Sequence, residues 1–158
     1  MISFAVIGEP APEGSVRALS MPGKRFPVVV HDNPKALQTW RKIVVAGATV
    51  ALEDGALPYT SGEAVTVRIS FYLTRPKSVS AKKRPEPTVR PDVDKLTRAV
   101  LDALTMAGVY ADDAQVCALR VSKEYVELDP GALVSIYLTN PIEGAPTNDS
   151  KEEVRAQA

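Results

Sequence analysis

The sequence predicts a single α/β (α+β) domain, a mixed β-sheet carrying two main helices in the order β-(β)-α-β-α-β-β. Three observations predict it. Residues 64–74 alternate without a break: Val65, Val67, Ile69, Phe71 and Leu73 face one way, and Thr66, Arg68, Ser70, Tyr72 and Thr74 the other. Two other stretches place apolar residues at helical spacing, Leu37, Trp40, Val44, Ala48 and Ala51 in one and Val93, Leu96, Val100, Leu104 and Ala107 in the other. At 158 residues, 45% hydrophobic and 24% charged, the chain is long enough for one real core and ordinary for a globular protein.

Taken in order, Ile2 to Ile7 reads as a short strand rich in β-formers. Residues 8–25, GEPAPEGSVRALSMPGKR, are a Pro/Gly loop carrying Arg17, Lys24 and Arg25, with little regular structure expected. Phe26 to Val30 is the second, short strand of the predicted order. Asn33-Pro34 then starts the first helix, a cap residue before proline at the first helical position, and Gly55 follows its end. Trp40 lies on the apolar stripe and reads as a core anchor rather than a base-stacking platform; Gln38, Arg41 and Lys42 lie off it. Gly47 costs up to ~1 kcal/mol relative to alanine inside a helix, which close packing against the sheet would explain.

After the alternating strand comes a connection broken by Pro76, Pro85, Pro87 and Pro91, too rich in proline for a helix. The second helix follows, with Asp92 as its N-cap and Gly108 just past its end. Val116 to Glu127 reads as a strand with Cys117, Leu119, Val121 and Tyr125 on one side, Cys117 being expected as a small core residue. Asp129-Pro130-Gly131 is a turn, and Leu133 to Thr139 a final strand in hairpin relation to the one before. The folded domain is bounded at 1–140; residues 141–158 are a polar C-terminal tail without periodicity, expected to be disordered.

Composition narrows the chemistry. A single cysteine excludes an internal disulfide and fits a reducing compartment, and no apolar run approaches a membrane span, so a cytoplasmic protein is expected. His31 is the only histidine, taken as structural or solvent-exposed, so histidine-based metal sites or triads cannot be built from one chain without it. GEPAPEG lacks the lysine and the spacing of a phosphate-cradling loop, and Asp149 to Glu153 is a solvated charge run. Net charge is zero but unevenly spread. Between Arg75 and Arg90 lie six basic residues (Arg75, Lys77, Lys82, Lys83, Arg84 and Arg90) and one acidic residue, Glu86, a run that attracts polyanions.

From Asp92 to Val116 the balance reverses: five aspartates (Asp92, Asp94, Asp102, Asp112 and Asp113), no glutamate, and the cations Lys95 and Arg98. Asp94, Arg98 and Asp102 share a helix face, at i, i+4 and i+8. Carboxylates beside a basic run would repel a phosphate backbone unless a divalent cation lies between them, and oxygen-only ligands suit Mg²⁺ or Mn²⁺ rather than zinc. One pair brackets the helix start and the other follows its end, so the two converge only across different elements or through a partner chain.

The block PDVDKLTRAVLDAL followed by AGVYADDAQV resembles the signature of the RusA-like Holliday junction resolvases. It matches the D-x-D of Asp92 and Asp94, the D-A-L from Asp102, Gly108, and the D-D-A-Q from Asp112. Lys95 stands where the family has asparagine, and Arg98 where it has lysine. The resemblance implies a small, homodimeric, Mg²⁺-dependent endonuclease of a phage or prophage in a bacterial host cell. It would resolve four-way junctions by hydrolysis in opposing strands, with Mn²⁺ able to substitute. Asp92, Asp94 and Asp113 correspond to the family's metal-binding carboxylates, with Asp112 and Asp102 as secondary candidates, and Arg98 would stabilise the charge of the transition state. DNA contact is expected from Arg17, Lys24, Arg25, Lys82, Lys83, Arg84, Arg90 and Lys95. Two alternatives stay open: a nuclease directed mainly at flaps or forks, and a branched-DNA binding protein that has lost cleavage.

Overall fold

The computed structural model describes residues 1–14, 16–19, 28–31 and 33–139, the side chains of 16–19 and 28–31 excepted. Its elements are β1 (Ile2–Ile7), β2 (Val16–Leu19), β3 (Val28–His31), α1 (Pro34–Glu53), β4 (Val65–Thr74), α2 (Val93–Met106), a 3₁₀ turn (Asp113–Gln115), β5 (Val116–Val126) and β6 (Gly131–Leu138). Four strands form one mixed sheet in the order β1-β6-β4-β5, and β2 and β3 form a separate antiparallel pair. The mixed sheet with two helices is the architecture the sequence predicts.

β4 is an inner strand, paired with β5 on one edge and β6 on the other, and its alternation turns one face into the core. Val65, Val67, Ile69, Phe71 and Leu73 are all buried, and both helices contribute to the core that covers them. From α1 come Trp40, Val44 and Ala48; from α2 come Leu96, Ala99, Val100, Ala103 and Leu104. Trp40 is fully buried, as the anchor role requires. A Cβ on Gly47 would stand 2.5 Å from Val6 and 2.9 Å from Phe4, so the glycine lets α1 lie directly on β1. Asn33 caps α1 through its side chain, which accepts from the Ala36 N–H.

α2 ends in a Schellman arrangement: Gly108 adopts φ 73°, its N–H reaches the Thr105 carbonyl at 3.0 Å, and the Val109 N–H reaches the Leu104 carbonyl at 3.1 Å. At its start, Asp92 has the extended N-cap backbone but makes no side-chain capping bond. Val93, placed on the apolar stripe by its spacing, is 39% exposed; the buried face is rotated toward Thr97, Ala99 and Ala103.

Three further expectations are corrected. The loop 8–25 contains a strand, β2, which becomes one by pairing with the valine run of β3, itself shifted to Val28–His31. β5 and β6 are not a hairpin: β4 lies between them, parallel to β5 and antiparallel to β6, so the turn through Asp129 crosses the end of β4. Cys117 is exposed rather than in the core. The register of β4 and β5 shifts where Val65 pairs with Val116 but Thr66 with Ala118, and Cys117 is the extra residue of that irregularity. Lys24, Arg25 and the tail 141–158 lie outside the described residues, as do the side chains of Arg17 and His31. Among the described residues no helix is long and apolar enough to cross a membrane.

Candidate functional site

The helix α2 holds an acidic group at each end. At its amino end Asp92, Asp94 and Arg98 are exposed, and Asp94 and Arg98 lie one turn apart along the helix. Lys95 pairs with Asp92, Nζ to Oδ2 at 3.4 Å. The basic connection runs directly into this end and is pinned there from β4 and β5. Arg75 donates to the carbonyls of Arg84 (2.7 Å) and Pro85 (3.0 Å) while stacking its guanidinium over Tyr125, 4.3 Å from the ring centroid. Lys123 donates to the carbonyls of Val89 (2.9 Å) and Pro91 (2.8 Å). Arg75 is thereby consumed in holding the loop, while Lys82, Lys83, Arg84 and Arg90 stay exposed.

At the carboxyl end, the D-A-L and D-D-A-Q motifs have separable structural roles. Asp112 caps the 3₁₀ turn by accepting from the Ala114 N–H at 2.8 Å. Gln115 closes the box: its Oε1 accepts from Ala111 (2.9 Å) and Asp112 (3.3 Å), and its Nε2 donates to the carbonyls of Thr60 (2.8 Å) and Glu63 (3.1 Å). Both aspartates are exposed, but only Asp112 is bonded to the backbone; the Asp113 carboxylate makes no side-chain hydrogen bond among the described residues. With Asp102, Asp112, Thr105, Met106 and Arg41 it lines a shallow depression of about 350 Å³. Tyr110 is buried beside this group and donates to the Leu101 carbonyl at 3.2 Å. Burial, then the charges of Asp113, Asp102 and Asp112, push its hydroxyl well above the usual tyrosine range.

Two residues that sequence reasoning did not assign to the site join it here. Arg41 Nη2 contacts Glu13 Oε2 at 2.5 Å and Asp102 Oδ2 at 2.6 Å, and the Glu13 N–H donates to the Lys95 carbonyl at 2.9 Å. The loop before β2 is therefore laced along α2. Burial and the hydrogen bond and charge of Glu13 raise the Asp102 carboxyl, against the pull of Arg41. For Glu13, burial also raises, but its hydrogen bonds with Asp102 and Arg41 and the charges of Arg41 and Arg98 outweigh it and lower the carboxyl. Arg41 and Glu13 thus hold the two carboxyls apart, Glu13 below and Asp102 above its ordinary value. Arg41 signalled itself by falling off the apolar stripe of α1; Glu13, in a Pro/Gly loop, carried no local signal.

What one chain does not do is bring the predicted ligands together. α2 has 14 residues, about 20 Å at ~1.5 Å per residue, and this length separates Asp92 and Asp94 from Asp112 and Asp113. Among the described residues no three His, Cys, Asp or Glu side chains come together as a metal ion requires.

The sequence pattern of the family described as "Endodeoxyribonuclease RusA" matches residues 20–137. The chain belongs to the RusA endodeoxyribonuclease family. The RusA match takes in both helices, both carboxylate groups and the basic connection, whereas β1 and Glu13 precede it. The chain is also similar to the uncharacterized protein YqaN of Bacillus subtilis (strain 168), 37% identical over 135 residues that make up 80% of this chain and 89% of that protein.

Proposed function

We propose that this member of the RusA family is a metal-dependent, structure-selective endonuclease that resolves four-way DNA junctions as a homodimer. The observation that carries the reading is the exposed Asp92/Asp94 pair set against a pinned basic loop in a chain of that family. The donor chemistry fits Mg²⁺, with Mn²⁺ able to substitute: the ligands are carboxylate oxygens alone, and Asp92, Asp94 and Asp113 are exposed. Bound there, the cation would supply an activated water and neutralise charge at the scissile phosphate.

The chain's own residues do the rest. Lys82, Lys83, Arg84 and Arg90 draw the phosphate backbone toward the carboxylates, which alone would repel it. Arg98, on the face of α2 that carries Asp94, meets the negative charge that develops on the phosphate. Because a full helix length divides the two acidic groups, the ligand set is completed between copies, the Asp92/Asp94 end of one with the Asp113 end of the other. A two-fold dimer also matches the two-fold symmetry of the junction, so that opposing strands are cut.

The test is cleavage of four-way junction, flap and fork substrates with Mg²⁺ and with EDTA. Cutting of the junction in Mg²⁺ and none in EDTA is the expected result. Faster cutting of flaps or forks would change the substrate class, and binding without cutting in Mg²⁺ would make the chain a branched-DNA binding protein.

A further inference from the structure

The face of the sheet opposite the helices carries a paired arginine site of its own. Arg68 on β4 stands directly across from Arg120 on β5, and both are exposed. The next pair along the same face, Ser70 and Ser122, join hydroxyl to hydroxyl at 3.4 Å, which fixes that both strands present these residues to the same side. The row continues from Arg68 to Ser135 on β6 and Ser3 on β1, whose hydroxyls lie 2.9 Å apart. Neither arginine forms an ion pair among the described residues. The carboxylates bordering this face lie at its far end, Glu124 opposite Tyr72, and Glu9 accepting from Thr74 at 2.7 Å.

Like charges directly opposite on neighbouring strands destabilise a sheet, and small hydroxyl neighbours do nothing to screen them. An anion between the two guanidinium groups removes that cost. Resting on the reading of this protein as a branched-DNA nuclease, we propose that the bare face of the sheet is a second DNA surface. There Arg68 and Arg120 hold the phosphates of a duplex arm that the 75–91 loop does not reach. Charge selects DNA over a second copy of the chain, since two such faces packed together would bring four arginines into one interface. Branched DNA supplies more than one arm, and a protein that binds the branch point at α2 leaves other arms to be held elsewhere.

The experiment compares full-length wild type with the double variant Arg68→Gln/Arg120→Gln in EDTA, measuring four-way junction affinity across a salt series. The slope of log K against log salt should become shallower by about 0.9 per lost phosphate contact, roughly 1.8 for two. The Arg68→Lys/Arg120→Lys variant should restore it, and adding Lys82→Gln, Lys83→Gln and Arg84→Gln should flatten it further. A slope unchanged in the glutamine variant overturns the proposal while leaving the nuclease reading intact. Wild type that binds no branched DNA at all overturns the nuclease reading itself. One other occupant would also overturn the proposal. Loss of self-association in sedimentation, confined to the glutamine variant, would identify a second copy.

Discussion

At the amino end of α2, Asp92 and Asp94 are exposed, and the described structure asks little of them beyond the 3.4 Å pair of Asp92 with Lys95. At the carboxyl end the same residue type is largely committed: Asp102 to Arg41 and Glu13, Asp112 to the Ala114 N–H, with Asp113 alone making no side-chain bond among the described residues. One helix and its flanks can thus carry five aspartates without their being equivalent. A carboxylate at a turn that must close is taken up by backbone donors; one at a helix start whose cap bond is unmade stays available to a cation. The two ends also differ in surroundings, since the pinned basic loop borders only the amino end.

The contrast between the two ends is tested most severely by Asp94→Asn. It should abolish cleavage while leaving junction binding in EDTA within a few-fold of wild type, because the proposed reading makes Asp94 a metal ligand and the substitution leaves the cationic surface untouched. Near wild-type cutting would move the site away from this end of the helix. Next in size is Arg98. Arg98→Ala should lower turnover by ~10²–10³, the usual scale for one electrostatic donor, whereas Arg98→Lys should stay within about tenfold. Equal rates for all three proteins would reduce the cation to a helix-face partner of Asp94 and Asp102, leaving Lys95 as the residue to examine.

The carboxyl end should respond in stability before activity. Gln115→Ala removes two donated and two accepted bonds at partly exposed positions, and a loss of about 1–2 kcal/mol is expected in chemical denaturation. A fully stable variant would mean that the link between the 3₁₀ turn and the 60–63 loop contributes nothing. The smallest effect concerns Asp102. Its carboxyl is raised in the folded state by burial and by Glu13, so its contribution is present below the unfolded value of 3.8 and is lost as pH rises through the folded value. Glu13 is lowered, so its contribution runs the opposite way, lost as pH falls. In wild type the two oppose; in Asp102→Asn only Glu13, paired with Arg41, remains. The melting temperature of the variant should therefore gain on wild type as pH rises from the acid range, and parallel curves would refute the coupling.

Residues that follow a local repeat or a local rule are legible in the sequence alone: the alternation of β4, the stripe of α1, the Gly108 stop, and the D-x-D and D-D-A-Q motifs that carry the family resemblance. Their physics is contained within a turn or a strand, where side-chain spacing by itself sets which face is apolar. The remaining features arise from contacts between distant segments. The insertion of β4 between β5 and β6 depends on which distant strand supplies the partner, and a short turn is as compatible with crossing a strand end as with a hairpin. Cys117 is the unpaired extra residue where β4 and β5 shift register, and a bulge residue left out of the ladder on an edge strand meets solvent. The union of Glu13, Arg41 and Asp102, and the facing of Arg68 and Arg120, join residues far apart in the chain, and no local pattern encodes a contact that the sheet and the helix crossing create.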